Sequence, residues 1–421
     1  MSDPTGGGRD PAIDRSVPLG AVDPARSRHA GRRSAVALTP DLAIVGTADG
    51  DLVGVDRAAA GRRWTVAAGT GSVVAAIPFG DGVAVGERGP AGEVRLHDAA
   101  TGAVRWRHAA AAEVGDPARE GRFQLPYVAA LATDGDRLYA AARRYERDDG
   151  ERTFESAVYA FGPDGEQVWT RRADASPIAL DADGDRVAVA YNRCPGTHDA
   201  GLVVHDAATG AVRWRWDPDA GGERRVGDVA LVGDGAVVAS HGDYRGYRLG
   251  TGGRERWRVD LATPTTVGDE TLYAYPNHVH ATDGGAAFVT GNTYPEEGRE
   301  TDGLHPDEHT VFCYAPDGTR RWSAPVDGFA GGVGADRDRV AVPGAQHFRR
   351  RDPAGHGVRV VDVREGPVGS VGTAGVVTAV AVDRADGPAA TVAAVEEPVV
   401  YHDEGRERGT YRLHLVDGLD G

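Results

Sequence analysis

The segment His97–Arg107 reads HDAATGAVRWR, and the same eleven letters recur at His205–Arg215. Looser copies end at other tryptophans, so that six of the seven Trp residues occupy one repeat position: Trp64, Trp106, Trp169, Trp214, Trp257 and Trp322. The successive spacings between them are 42, 63, 45, 43 and 65 residues. The sequence therefore predicts a repeated unit of about 43 residues, with insertions of about 20 residues in the third and sixth copies.

Each unit has the pattern of four short strands separated by Asp-Gly or Thr-Gly turns. In the fourth unit the predicted strands are Ser176–Leu180, Arg186–Tyr191, Gly201–His205 and Ala211–Trp216. Four antiparallel strands in a repeat of this length are typical of a β-propeller blade. Two degenerate copies near Asp362 and Asp417 bring the count to eight. The predicted fold is all-β, an eight-bladed propeller of four-stranded antiparallel blades.

The eighth unit ends after its third strand, because the chain stops at Gly421 without a Trp strand. A closed ring should not leave an open sheet edge. We therefore expect a segment near Arg15–Leu19 to supply the missing outer strand; the alternative is a last blade of three strands. The predicted organisation is a flexible N-terminal segment over 1–33, a portion of which closes the last blade, and a single propeller over 34–421.

The pattern G-x-L/V-x-x-x-D-x-x-T-G-x-x-x-W resembles the pyrroloquinoline-quinone-type propeller repeat over essentially residues 34–417. That family includes quinoprotein alcohol dehydrogenases and the outer-membrane assembly lipoprotein BamB. The resemblance implies the architecture more strongly than a function, because one fold carries many activities. The quinoprotein dehydrogenases have an adjacent Cys-Cys pair over the quinone and a calcium site. This chain has only Cys194 and Cys313, so pyrroloquinoline quinone and that dehydrogenase activity are not expected.

The charge balance narrows the class of partner. All 47 basic residues are Arg, against 63 Asp and Glu, for a net charge of −16. An acid excess without Lys predicts a protein of halophilic archaeal type and argues against nucleic acid or an anionic membrane as the main partner. No stretch is long and apolar enough to span a membrane, and we find neither an export signal nor a lipid-anchoring Cys near the start. We expect a cytoplasmic protein without a membrane anchor.

The two faces of the predicted ring differ. One carries only tight turns rich in Gly and Asp, whereas the other carries the long loops, among them 143–156, 192–201, 259–278, 291–309 and 344–357. All three Asn residues and eight of the fourteen His residues fall on this second face. Variable loops on a rigid scaffold are where binding residues concentrate. We therefore expect the loop-rich face to hold a protein or a small ligand.

The sixth blade has the densest group of polar residues. The candidate ligand-binding residues there and on the seventh blade are Asn277, His278, His280, Asn292, Glu296, Arg299, His305, His309, Gln346 and His347. Paired imidazoles with carboxylates suit a divalent metal, with His278, His280 and His309 as its candidate ligands, or an acid–base pair. The alternative is that strand-end His residues bond loop carbonyls. His305–His309 also matches H-x-x-E-H, but Pro306 argues against the helix that this zinc motif requires.

Two functions remain open from the sequence. The leading hypothesis is a non-enzymatic binding or scaffold propeller that uses its loop-rich face. The alternative is an enzyme with a His/Asn/Glu site, with or without a divalent metal, at the top of the channel on the sixth blade. The cofactor, if any, is not identified by the residues.

Lowering the salt concentration should destabilise the protein. The 63 acidic groups repel one another when they are not screened, so the melting temperature should fall between about 2 M and about 0.1 M KCl. Thermal denaturation followed by circular dichroism measures it. A melting temperature indifferent to salt would contradict the halophilic interpretation.

Overall fold

The computed structural model is built almost entirely of β-strands. It describes residues 15–26, 32–67, 69–117, 119, 121–298, 300–345, 347, 349–383, 390–401 and 405–418. The one α-helix among these described residues is a single turn, Ala111–Val114. No helix in the described ranges is long and apolar enough to cross a membrane. The predicted all-β class is confirmed.

The strands form units of four in chain order, each antiparallel to its neighbours; we call these units blades and number them along the chain. The first two are Ala35–Leu38, Leu42–Gly46, Asp51–Asp56 and Arg62–Ala67, then Ser72–Phe79, Gly82–Arg88, Glu93–Asp98 and Val104–Ala109. The third and fourth are Tyr127–Thr133, Leu138–Asp148, Glu151–Phe161 and Gln167–Ala173, then Ser176–Asp183, Arg186–Arg193, Leu202–Asp206 and Val212–Trp216.

The later blades follow the same plan. The fifth and sixth are Val226–Val232, Gly235–Ser240, Arg245–Leu249 and Glu255–Asp260, then Glu270–Thr282, Gly285–Pro295, Thr310–Tyr314 and Arg320–Pro325, with Thr265–Val267 paired to the long first strand. The seventh is Gly334–Asp336, Arg339–Gly344, Gly357–Asp362 and Gly366–Gly372. The eighth is Val376–Asp383, Thr391–Glu397, Arg412–Asp417 and Arg15–Pro18, and a small hairpin pairs Val399–Val400 with Glu407–Arg408.

In the first, second, third and fifth blades the repeated tryptophan hydrogen-bonds to the next blade. Trp64 Nε1 donates a hydrogen bond to Ala99 O at 3.2 Å, and Trp106, Trp169 and Trp257 make the equivalent bond to the following blade. The glycine of that following turn lies under the indole: Gly102 has φ +76°, and a Cβ there would lie 2.7 Å from Trp64. The glycine of the repeated Thr-Gly pair is therefore required for two reasons: the turn needs its positive φ, and the docked indole leaves no room for a Cβ.

The hydrophobic core lies between blades rather than within them. Eight clusters of buried side chains each combine residues of two neighbouring blades, and the one between the eighth and first blades closes the ring. In that cluster Leu413 and Leu415 of the eighth blade pack with Val36 and Val45 of the first. Small aliphatic side chains dominate because two sheets must approach closely along their whole faces.

The N-terminal strand completes the eighth blade, as the sequence predicted. Arg15 is paired with Leu415 and Pro18 with Arg412, in antiparallel register. Val17 and Leu19 are buried in the cluster between the eighth and first blades. The alternative of a three-stranded last blade is excluded by this pairing. The flexibility predicted for the N-terminal segment also concerns 1–14 and 27–31, which lie outside the described residues.

The insertions of the third and sixth units lengthen strands on the loop-rich face. In the third blade, Leu138–Asp148 and Glu151–Phe161 form a hairpin of eleven residues on each side. In the sixth, Glu270–Thr282 and Gly285–Pro295 form a similar extension.

Replacing Val17 with Asp should destabilise the whole ring. The substitution places a carboxylate in the cluster that closes the propeller, and we expect a loss of at least about 3 kcal/mol of unfolding free energy. Urea denaturation measures it. Pro18→Ala, at the exposed neighbouring position of the same strand, is the control and should be nearly neutral. Equal stability of Val17→Asp and the parent would show that strand closure contributes nothing.

Candidate functional site: a basic mouth of the central channel

The inner strands surround a narrow channel. A cavity of about 290 Å³ is lined by side chains from all eight blades: Val36, Ala76, Leu131, Ala179, Asp228, His278, Val333 and Ala379. Most of these are small or aliphatic, since the inner strands converge on the axis. In six blades the inner strand carries a register shift near this position, for example between Val226 and Asp228. Such β-bulges redirect side chains. Here the bulges lie at the loop-rich end of the inner strands.

At that end the channel opens into a second cavity of about 440 Å³, which we call the mouth. The charged residues of its lining are mainly basic. The mouth contains four arginines, Arg32, Arg88, Arg143 and Arg224, and a single carboxylate, Asp228. None of the four guanidinium groups lies within 4.0 Å of a carboxylate of the described residues. In a protein of net charge −16 the mouth is a local excess of positive charge.

Aromatic rings hold three of these arginines in place. The Arg88 guanidinium lies 4.2 Å from the ring centroid of Tyr127, and that of Arg143 lies 5.3 Å from the same ring. Across the mouth, Arg224 lies 4.5 Å from the ring centroid of Tyr275. Cation–π contacts orient a guanidinium without neutralising it. The Arg side chains therefore stay available to an anion.

The pKa values at the mouth reflect this accumulation of charge. Burial alone would raise the pKa of Tyr127, but the neighbouring guanidinium groups hold it below its ordinary value. Burial is the main cause that lowers the pKa of Arg143 to about 10, and the Arg88 charge adds to it. Nε of Arg143 is buried without a hydrogen-bond partner among the described residues. An anionic group would stabilise both charged arginines.

A second set of contacts fixes Arg224. Arg224 Nη1 donates to Asn192 Oδ1 at 3.2 Å, and Asn192 Nδ2 lies 2.6 Å from Nδ1 of His241. Burial, followed by the Arg224 charge, lowers the pKa of His241 to about 3, so this ring is neutral at pH 7. A Cβ at Gly227 would lie 2.3 Å from His241 Nε2, so only glycine fits beside the imidazole. The Arg224 position is thus set by a buried polar chain.

Three of the predicted site residues line the mouth: Asn277, His278 and Asn292. His278 Nε2 donates to Ala330 O at 3.0 Å, and its Nδ1 lies 3.7 Å from Asp228 Oδ2. That carboxylate is engaged as well, because it accepts the Val279 N–H at 2.9 Å. The structure therefore brings three members of the predicted set together at the mouth.

The other predicted residues lie elsewhere. His280 Nε2 donates to Arg337 O at 2.6 Å, and buried His305 bonds Thr263 O at 3.0 Å, so both follow the alternative of His residues bonding loop carbonyls. Glu296 is exposed and does not line the mouth. Residues 306–309 form a turn and not a helix, which removes the zinc-protease interpretation of H-x-x-E-H. Arg299 and Gln346 lie outside the described residues.

The three imidazoles predicted as metal ligands are not brought together. His309 instead groups with Glu308 and His347, whose potential ligand atoms lie within 4.8 Å of one another. His309 Nε2 donates to Asn292 Oδ1 at 3.0 Å, and His347 Nδ1 accepts backbone N–H groups of Arg349 and Arg350 at 3.2 Å.

Neutral His347 consequently carries its proton on Nε2, which faces Glu308 Oε1 at 3.5 Å. A protonated nitrogen does not coordinate a metal, and the Arg349 cation lies 3.6 Å from the same carboxylate. One carboxylate oxygen and one imidazole lone pair are too few ligands for a zinc site. We therefore interpret this cluster as a hydrogen-bonded link between the loops of the sixth and seventh blades.

The arginines of the mouth, together with Tyr127 and His241, were not among the residues predicted from the sequence. Arg88 ends the second strand of the second blade, Arg143 lies within the lengthened second strand of the third blade, and Arg224 lies in a loop of the same face. Their position was therefore predictable from the strand order. Their importance was not, because all 47 basic residues of the chain are Arg and only the fold shows which of them lack a carboxylate.

Comparison with known proteins agrees with this architecture. Residues 154–268 match the family model described as outer membrane protein assembly factor BamB. Quinohemoprotein alcohol dehydrogenase from Comamonas testosteroni is similar in structure, with TM-score 0.58 and 11% identity over 93% of this chain and 75% of that one. Sqt1 from Saccharomyces cerevisiae has TM-score 0.60 and 12% identity over 97% of this chain and 99% of that one. No curated protein sequence matches the chain.

The fold and the comparisons define the protein as a β-propeller. Over residues 154–268 its repeat matches the pyrroloquinoline-quinone-like, BamB-like type, which confirms the resemblance drawn from the Trp pattern. The residues present do not fit the quinone site of that family. Cys194 and Cys313 are both free and buried, in different blades, and burial raises the thiol pKa of Cys194 to about 12. We therefore derive no function through a quinone.

Acid should destabilise the fold through its buried imidazoles. Burial is the main cause that lowers the pKa of His241 and of His309 to about 3, so the unfolded chain binds protons that the folded chain does not. Stability should fall as the pH drops below about 6.5, by up to about 1.4 kcal/mol per pH unit for each such residue. His309→Gln, which keeps an N–H donor for Asn292, should flatten the fall in melting temperature between pH 7 and pH 4. A slope identical to the parent's would contradict this assignment.

Proposed function

We propose that this protein is a cytoplasmic binding propeller that holds an anionic ligand at the mouth of its channel. The observation that carries the proposal is the set of four guanidinium groups without a carboxylate partner among the described residues, in a chain of net charge −16. Arginine recognises carboxylate and phosphate groups with paired N–H donors. The ligand class is accordingly one that carries such groups.

The shape of the mouth supports this choice. Arg88 and Arg143 share the ring of Tyr127, whereas Arg224 lies over Tyr275, so the positive charges come from separate blades and border one cavity. A ligand with more than one anionic group can contact arginines from both sides. The surrounding acidic surface repels anions elsewhere on the molecule, which directs them to this opening.

Binding is favoured over catalysis by the state of the titratable groups. Nε2 of His278 and the carboxylate of Asp228 are used by backbone groups, and His241 remains neutral at pH 7. The Cys194 thiol is buried with its pKa raised to about 12, which leaves little thiolate for nucleophilic attack. The arginines, by contrast, keep a positive charge that an anion can pair with.

Replacing Arg224 with Gln should weaken anion binding by at least about tenfold, because one charge-assisted pair contributes about 1.5–3 kcal/mol. The probes are citrate and inorganic phosphate, titrated by isothermal calorimetry into the purified full-length protein. Arg256→Gln is the matched control, since Arg256 lies in the same blade and pairs with Asp234. The control should bind as the parent does.

Affinity should also fall as KCl is raised, because exposed charge pairs are screened. Failure of both citrate and phosphate to bind the parent would overturn the proposal. So would equal affinities for Arg224→Gln and Arg256→Gln, since the mouth would then contribute nothing specific.

A further inference from the structure

We propose that the physiological ligand is an acidic segment of another protein that carries an aromatic or large apolar side chain, and that it extends from the mouth into a neighbouring groove. This inference rests on the proposed function, since the segment's carboxylates would occupy the arginines of the mouth. It adds the class of partner and a second contact surface.

The groove is a cavity of about 760 Å³ beside the mouth. The two cavities share Phe123, Arg143 and Ile178, so they are continuous across the loop-rich face. Their volumes of about 440 and 760 Å³ together exceed what a single small ligand fills, which is roughly 300–1,000 Å³. An extended chain is the ligand shape that contacts both.

The groove repeats the charge excess of the mouth. Its lining includes five arginines, Arg119, Arg143, Arg147, Arg152 and Arg193, and one acidic residue, Glu146. Arg152 and Arg193 share the carboxylate of Glu223, with N–O distances of 3.4 and 3.3 Å. Arg119 and Arg147 have no carboxylate within 4.0 Å in the ranges of the chain that the structure describes. The two carboxylates of Glu146 and Glu223 cannot neutralise all five arginines, so the groove attracts acidic side chains.

One face of the third-blade hairpin lines the groove. Arg147 is paired with Arg152 and Tyr145 with Phe154, in direct cross-strand register. Because side chains alternate along a strand, these four lie on one face, and they line the groove. The next pair, Asp148 with Glu151, lies on the opposite face. The like charges of Arg147 and Arg152, directly opposite each other, repel and lower the stability of the hairpin. Such a local loss of stability is expected where residues serve binding and not folding.

Aromatic side chains provide the apolar portion of the groove. Phe123 is 60% exposed, an unusual state for Phe, and it lies where mouth and groove meet. Tyr145 and Phe154 pack with ring centroids 5.4 Å apart, and Arg143 lies 5.5 Å from the Phe154 centroid. An aromatic or large apolar side chain of the partner can cover Phe123, since exposed aromatic rings rimmed by arginine are typical of interface anchors.

A protein segment suits this surface better than a nucleic acid. The net charge of −16 repels a long uniform polyanion, whereas a short acidic segment meets only the basic mouth and groove. The exposed Phe123 requires an apolar contact beside the carboxylate contacts, which a mixed peptide supplies.

The test measures fluorescence anisotropy of a labelled twelve-residue peptide of Asp and Glu with one central Phe, added to the full-length protein. A peptide with Ala in place of Phe, a Lys-based peptide and a single-stranded oligothymidine of similar length are the other probes. The variants are Phe123→Ala and Arg147→Gln, both at exposed positions. Glu155→Gln, on the outer face of the same hairpin, is the matched control.

We expect the acidic Phe peptide to bind the parent and the control equally, and each groove variant to bind it at least fivefold more weakly. Citrate affinity should be unchanged in Arg147→Gln, since Arg147 lines the groove and not the mouth, and should be reduced by Arg224→Gln. Citrate binding without peptide binding would overturn this inference and leave the proposed function standing, whereas loss of both would overturn both. Tighter binding of oligothymidine, or equal binding of the Ala peptide, would also overturn the inference.

Discussion

The contact of the repeated tryptophan with the turn of the next blade is the constraint on which this ring depends. The indole of Trp64 lies against Gly102 and donates to Ala99 O, and Trp106, Trp169 and Trp257 make the equivalent hydrogen bond. In these blades the contact fixes how closely the next blade packs. Together with the core clusters between blades, these contacts make the stability of one blade depend on its two neighbours, as in other repeat proteins.

Closure of the ring also depends on contact between neighbouring blades, here the eighth and the first. A blade without an outer strand would leave an unpaired edge and would leave some of the core between the eighth and first blades uncovered. The segment Arg15–Pro18 pairs with Arg412–Asp417 and places Val17 in that core. Two strands that are far apart in the sequence are thereby joined in one sheet, which resists separation of the first and last blades.

The rigidity of the ring allows the loop-rich face to carry charges that do not stabilise the fold. Elsewhere many arginines pair with carboxylates, as Arg105 does with Asp81 and Asp98. At the mouth, Arg88 and Arg224 lie against tyrosine rings instead, and Arg143 lies between Tyr127 and Phe154. Concentrating positive charge in this way costs free energy, and a scaffold held by eight core clusters can tolerate that cost.

The sequence by itself determined the blade and the order of its strands, because turn residues, alternation and the Trp position are local signals. In the fourth unit it placed all four strands within a few residues of their observed bounds, and it found the closing strand from the incomplete last repeat. It also located polar residues of the correct face, three of which border the mouth. Only the tertiary structure decided which side chains meet. Hydrogen bonds to Ala330 and Arg337 engage His278 and His280, and the guanidinium groups of the mouth come from separate blades and the N-terminal segment, far apart in sequence. Whether an arginine has a carboxylate partner depends on the packing of separate blades, and no local pattern contains that information.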